Sequence, residues 1–141
     1  MSSWPVEDIP DEDALFYRVP VGSLNPTDPQ VHPGVFRENK GSMSVDWARY
    51  STASETRART GHAARFAIIK LVTGRVREID GVSVQHSPVQ EEPGQPDNRA
   101  HTDVFGMETA PSGAPIFGRK EKVRSELFDR FNTWEIPPNA P

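Results

Sequence analysis

The stretch NRAHTDVFG, residues 98–106, places Arg99, His101 and Asp103 close together and ends on a glycine. In an extended chain successive side chains alternate between faces, so His101 and Asp103 would share one face while Thr102 and Val104 take the other. Arg99 would stand at the mouth of that strand. His86 ends the alternating run VSVQH, residues 82–86, and a hairpin-like return through the intervening loop would bring it near His101. Two imidazoles and a carboxylate make a general acid and base pair, or a metal site held by His86, His101 and Asp103, and Arg99 would neutralise a phosphate or carboxylate substrate. A plainer reading of the same residues is open: a strand-end histidine commonly satisfies a loop carbonyl or faces water. His32, between Val31 and Pro33, reads equally as loop packing, and His62 beside Gly61 as decoration of a helix end.

A second set is separated along the chain: Arg18, then Ser51-Thr52-Ala53-Ser54, then Gln90-Glu91-Glu92. This order resembles the Arg, Ser-Thr-Ser and Gln-x-Glu order of ADP-ribosyltransferases. The resemblance implies an NAD-using enzyme in which Arg18 and Ser51 hold the dinucleotide and Glu92 stabilises the ribose cation. Two departures stand against it: the serine group also reads as a helix cap, and the acids lie in a proline-bearing loop instead of at a strand edge. The sequence has no GxSxG elbow, no GxxxxGK[ST] loop and no GxGxxG turn, and nothing in it names a cofactor. Cysteine is absent, which removes thiolate nucleophiles, disulfides and cysteine-type zinc sites together.

The elements that must position these residues follow from pattern. ALFYRV (14–19) reads as a short strand stopped by Pro20, and MSVDW (43–47) as a second, with Met43, Val45 and Trp47 on one face and Ser44 and Asp46 on the other. Between them lie four prolines and the isolated anchors Leu24, Val31, Val35 and Phe36, whose spacing suggests a segment laid over the domain. Thr52 and Glu55 stand in capping-box spacing at the head of ASETRART, and Gly61 is a plausible stop. FAIIKLV (66–72), the most hydrophobic run, is expected to be the central strand, followed by a helical turn that Thr73 caps and Gly81 ends. RKEKVRSELFDRF (119–131) repeats Val123, Leu127 and Phe131 at helical spacing. The expected fold is α+β, a small mixed or antiparallel sheet with two or three helices and long proline-rich loops.

At 141 residues the chain fits one domain, which would bury roughly 70% of the surface of its unfolded form. Its organisation reads as an acidic arm over 1–13, a domain over 14–136 and a proline-rich tail over 137–141. The 14 prolines are about twice the usual share, so much of the chain should be loop. The start lacks the basic and apolar regions of a signal peptide, and no apolar run approaches a membrane span, so a cytoplasmic protein without membrane contact is expected. A net charge of −4 speaks against a general nucleic-acid binder. Its distribution is uneven: residues 1–13 carry five acids and no base, while 57–77 carry Arg57, Arg59, Arg65, Lys70, Arg75 and Arg77 and no acid. Either the arm and solvent neutralise this basic stretch, or the stretch forms an anion site or meets an acidic partner.

Together SVDW (44–47), YST (50–52), TRAR (56–59), HSP (86–88) and NRAHTDVFG (98–106) resemble a pattern of small prokaryotic domains to which no activity is attached. The resemblance implies that these stretches form one compact unit. The reading favoured by the sequence is a binding or accessory protein. It would meet a protein partner or a second copy of itself through its arm and proline-rich loops, with Trp4, Arg57, Arg59, Arg75 and Arg77 as contact residues. A small enzyme using His86, His101 and Asp103 on an anionic substrate is the alternative.

Overall fold

In a computed structural model, residues 3–109 and 114–141 are described. Five strands form one antiparallel sheet: β1 (Ala14–Pro20), β2 (Met43–Trp47), β3 (Phe66–Val72), β4 (Ser83–His86) and β5 (His101–Phe105), in the order β3-β1-β2-β5-β4. Three helices accompany it, α1 (Ala53–Ala58), α2 (Thr73–Arg77) and α3 (Arg119–Arg130). The protein is therefore α+β.

Strict alternation gives the sheet two unlike faces. Leu15, Tyr17, Val19, Met43, Val45, Trp47, Ile69, Leu71 and Val104 are buried on one, where α3 contributes Val123 and Leu127. The segment between β1 and β2 lies over this face and buries Leu24, Val31, Val35 and Phe36. Tyr17 ties that segment down: its hydroxyl donates to the Val35 carbonyl at 2.6 Å and accepts from the Arg37 N–H at 3.2 Å. The opposite face carries Phe16, Arg18, Ser44, Asp46, His101 and Asp103. It is roofed in part by α1, which packs on β1 and β3.

The helix boundaries have local causes. At α1 the capping box forms in full: Thr52 Oγ1 accepts from the Glu55 N–H, and Glu55 Oε1 accepts from the Thr52 N–H. At α2 the expectation needs correction. Thr73 is the first helical residue and not the cap, and its hydroxyl donates to the Asp13 carbonyl at 2.8 Å, so it staples the arm instead. Gly106, at φ +87°, is required sterically, since a Cβ there would collide with the Gly81 carbonyl.

The run FAIIKLV is also misplaced by its hydrophobicity. As β3 it stands at the end of the strand order, not at its centre. It is apolar because both its faces are covered, Ile69 and Leu71 by the main core and Ile68 on the α1 side. Its free edge is met by a single bridge from Ile68 to Ile136. Burial on both faces, not rank in the sheet, sets such a run.

Candidate functional site

The polar face of the sheet holds a cleft of about 340 Å³, lined by Phe16, Arg18, Ser44, Asp46, Thr60 and His101 from the sheet and α1 side and by Val89, Gln95, Pro96 and Asn98 from the loop joining β4 to β5. Its floor is organised by Asp46, which is only 6% exposed. A buried carboxylate persists when its lone pairs are filled, and here four donors converge. Thr56 Oγ1 donates to Oδ2 at 2.9 Å, Arg59 approaches the same oxygen through Nε at 3.0 Å and Nη2 at 2.9 Å, and Asn98 Nδ2 donates to Oδ1 at 2.8 Å. Ser51 extends the network, its hydroxyl accepting from Arg59 Nη2 at 2.8 Å and lying 2.9 Å from Thr56 Oγ1.

Beside Asp46, directly across the β2–β5 ladder, stands His101. Hydrogen-bond accounting fixes its tautomer. Ser87 Oγ has one hydrogen, which Asp103 Oδ2 takes at 2.7 Å; Ser42 Oγ donates to the other oxygen of Asp103 at 2.7 Å. The Ser87 hydroxyl oxygen and carbonyl therefore both face His101 Nδ1 as acceptors, at 3.0 and 2.9 Å. In the neutral ring the proton sits on Nδ1 and the Nε2 lone pair is left, toward which Ser44 Oγ points at 3.3 Å. Ser44 is exposed in the cleft, so the imidazole bridges an accessible hydroxyl and a fixed carbonyl.

Arg18 completes the cleft. Its guanidinium lies 4.3 Å from the Phe66 ring centre and donates to Thr60 Oγ1 at 3.2 Å. None of the ion pairs among the described residues includes it. Partial burial pulls it below the ordinary arginine range; the Asp46 carboxylate opposes this and Arg59 adds to it.

The expected pairing of His86 with His101 does not occur. His86 lies opposite Thr102 in the β4–β5 ladder, and residues directly opposite share a face. Thr102 faces the apolar core, so His101, one residue away, faces the other side. His86 is 1% exposed and packs against Trp47 and Tyr50. Its ring is spoken for: Nδ1 accepts from the Glu7 N–H at 3.0 Å and Nε2 meets the Arg99 carbonyl at 2.7 Å. Arg99 lies over the Tyr50 ring and near Glu7, away from the residues that line the cleft. Among the described residues no group of three or more His, Asp or Glu side chains is arranged to hold a metal ion. His101 and Asp103 do share the polar face, linked through Ser87.

The ADP-ribosyltransferase-like set is likewise dispersed. Arg18 is in the cleft, Ser51 is buried and bonded to Arg59, and Glu92 lies exposed on a loop outside the cleft lining. The arginines proposed as partner contacts are largely engaged within the chain. Arg57 is buried and donates to the carbonyls of Phe66, Ala140 and Pro141, which brings the tail onto the domain. Arg59 holds Asp46, and Arg77 holds Asp11 and the Ile9 carbonyl. Arg75 is exposed beside Glu78. Trp4 is half-buried, its backbone N–H donating to Gln90 Oε1.

Reasoning from sequence overlooked Asp46 and Ser44 as site residues, although the alternation of MSVDW already set them on the face opposite Met43, Val45 and Trp47. Among the described residues, no helix is long and apolar enough to cross a membrane. Comparison with family models, with curated proteins and with solved structures gives no match to this chain.

Proposed function

We propose that the chain is a binding module whose cleft takes a small anionic ligand, a carboxylate or phosphate group carried on a compact apolar body. The observation that carries this reading is Arg18. A partly desolvated guanidinium whose one hydrogen-bond partner among the described residues is a neutral hydroxyl has unused donors suited to a planar or tetrahedral anion. The nearby acid cannot serve it, because Asp46 is already filled by Arg59, Thr56 and Asn98. Phe16, Val89 and Pro96 supply apolar walls, and the volume lies at the lower end of ordinary small-ligand sites. In this reading the proline-bearing loop between β4 and β5 meets the ligand, while the acidic arm serves the fold.

Calorimetric titration with benzoate and with phenyl phosphate tests it. Wild-type protein should bind at least one of them, more weakly as salt rises. Arg18→Met, checked for an unchanged melting profile, should lose about tenfold or more in affinity, the usual worth of a charge-assisted bond. Equal heats for the two proteins would remove Arg18 from any binding role.

A further inference from the structure

We propose that Ser44 is a nucleophile activated by His101, giving the cleft an acyl-transfer activity on small esters. The preference for an ester bearing an anionic group rests on the role given to Arg18 above; the nucleophile itself does not. Three observations support the assignment. Ser44 Oγ is exposed in the cleft and lies 3.3 Å from His101 Nε2, the nitrogen left without a proton in the neutral ring, a separation common before substrate binds. The opposite ring nitrogen is anchored to the Ser87 carbonyl at 2.9 Å, so the imidazole is held in the tautomer a general base requires. Asp103 fixes Ser87 in turn by taking its only hydroxyl hydrogen. Nucleophile, base and orienting acceptor thus stand in sequence, as nucleophilic catalysis needs.

The chemistry balances with these groups and water alone. Ser44 Oγ bonds to the ester carbonyl carbon as its proton passes to His101 Nε2. The carbon–oxygen bond to the alcohol then breaks, and the departing oxygen takes that proton. The acyl group remains on Ser44. Water, deprotonated by the same nitrogen, attacks the acyl carbon and releases the acid, and the proton returns to Ser44. A histidine that merely staples β2 to the segment after β4 would hold the same bonds and transfer nothing.

The experiment uses the full chain with p-nitrophenyl acetate, following nitrophenolate release and mapping the acetyl group by peptide mass spectrometry. The expected result is one acetyl group on Ser44, with release abolished above background in Ser44→Ala. That exposed position tolerates the change without loss of fold. His101→Gln should slow acylation about a hundredfold, the ordinary contribution of a general base. Acetylation confined to lysines or the amino terminus, or release equal in wild type and Ser44→Ala, overturns the proposal. A parallel series with p-nitrophenyl hemisuccinate separates the two readings. If Ser44 is acylated but Arg18→Met leaves the hemisuccinate-to-acetate rate ratio unchanged, the nucleophile stands and the anion reading falls. If Arg18-dependent benzoate binding occurs without acylation of Ser44, the reverse holds.

Discussion

Asp46 shows how much one side chain organises. Its acceptors are filled by residues 10, 13 and 52 positions away, which fastens α1 and the end of the β4–β5 loop to β2. Breaking a largely buried ion pair from one side leaves an uncompensated charge, at a cost of about 3–5 kcal/mol. Asp46→Asn should therefore lower stability in urea by a large fraction of the total, since Arg59 would lose its counter-charge and keep its burial. The double variant Asp46→Asn/Arg59→Met should lose clearly less than the sum of the two single losses, because the orphaned charge has gone. Strict additivity in those melts would mean that the pair contributes no coupling. Three of the motifs, SVDW, TRAR and NRAHTDVFG, meet at this carboxylate through Asp46, Thr56 with Arg59, and Asn98; YST joins them through Ser51, which bonds Thr56 and Arg59, and HSP adjoins through the Ser87–His101 contact. Nothing in their separate spacing announces that convergence.

At the level of elements, what was legible in the sequence is what is set locally. MSVDW is a strand over the expected residues, and Thr52 with Glu55 caps α1 as its spacing required. The register between β4 and β5 is not local. The loop between them closes with a bridge from Val89 to Asn98 that is one residue out of step with the ladder; this offset sets His86 against Thr102 and not His101, and a shift of one residue decides which face each side chain takes. The acidic arm was similarly unreadable, because its partners are distant: Glu7 accepts from the Tyr50 hydroxyl at 2.6 Å, and Trp47 Nε1 donates to Asp13 at 2.9 Å. Glu7 is held below the ordinary glutamate range, chiefly by the Tyr50 hydrogen bond, with the charges of Arg49 and Arg99 assisting against its desolvation. A carboxyl whose docked pKa is lowered binds fewer protons docked than free, so docking is favoured above its free value and weakens as pH falls through the lowered one. Hydrogen-exchange protection of residues 3–9 should thus decline toward acid, and Glu7→Gln should flatten that decline. A profile identical in the variant would remove Glu7 as the cause.

Across the whole molecule the sheet divides two tasks between its faces. Core, arm, α2 and α3 lie on one side, where Ile9 is 3% exposed and its carbonyl accepts from Arg77. The cleft lies on the other, between α1 and the loop after β4. Stability and ligand recognition should then be separable by a cut made on the first side, which reaches the loop after β4 through the Trp4 backbone N–H and Gln90 Oε1. Deleting residues 1–9 removes the buried Ile9 side chain, worth about 2 kcal/mol, and exposes the His86 edge that the Glu7 N–H satisfies. It leaves Asp13 in place to bond Trp47 and Thr73. The shortened chain should unfold at clearly lower urea concentration, yet well below that midpoint bind benzoate or phenyl phosphate as the full chain does. Unchanged stability would mean that the arm is not part of the core. Weakened binding by a chain still fully folded would mean that the two faces are coupled through β2 and β5, whose residues alternate between them.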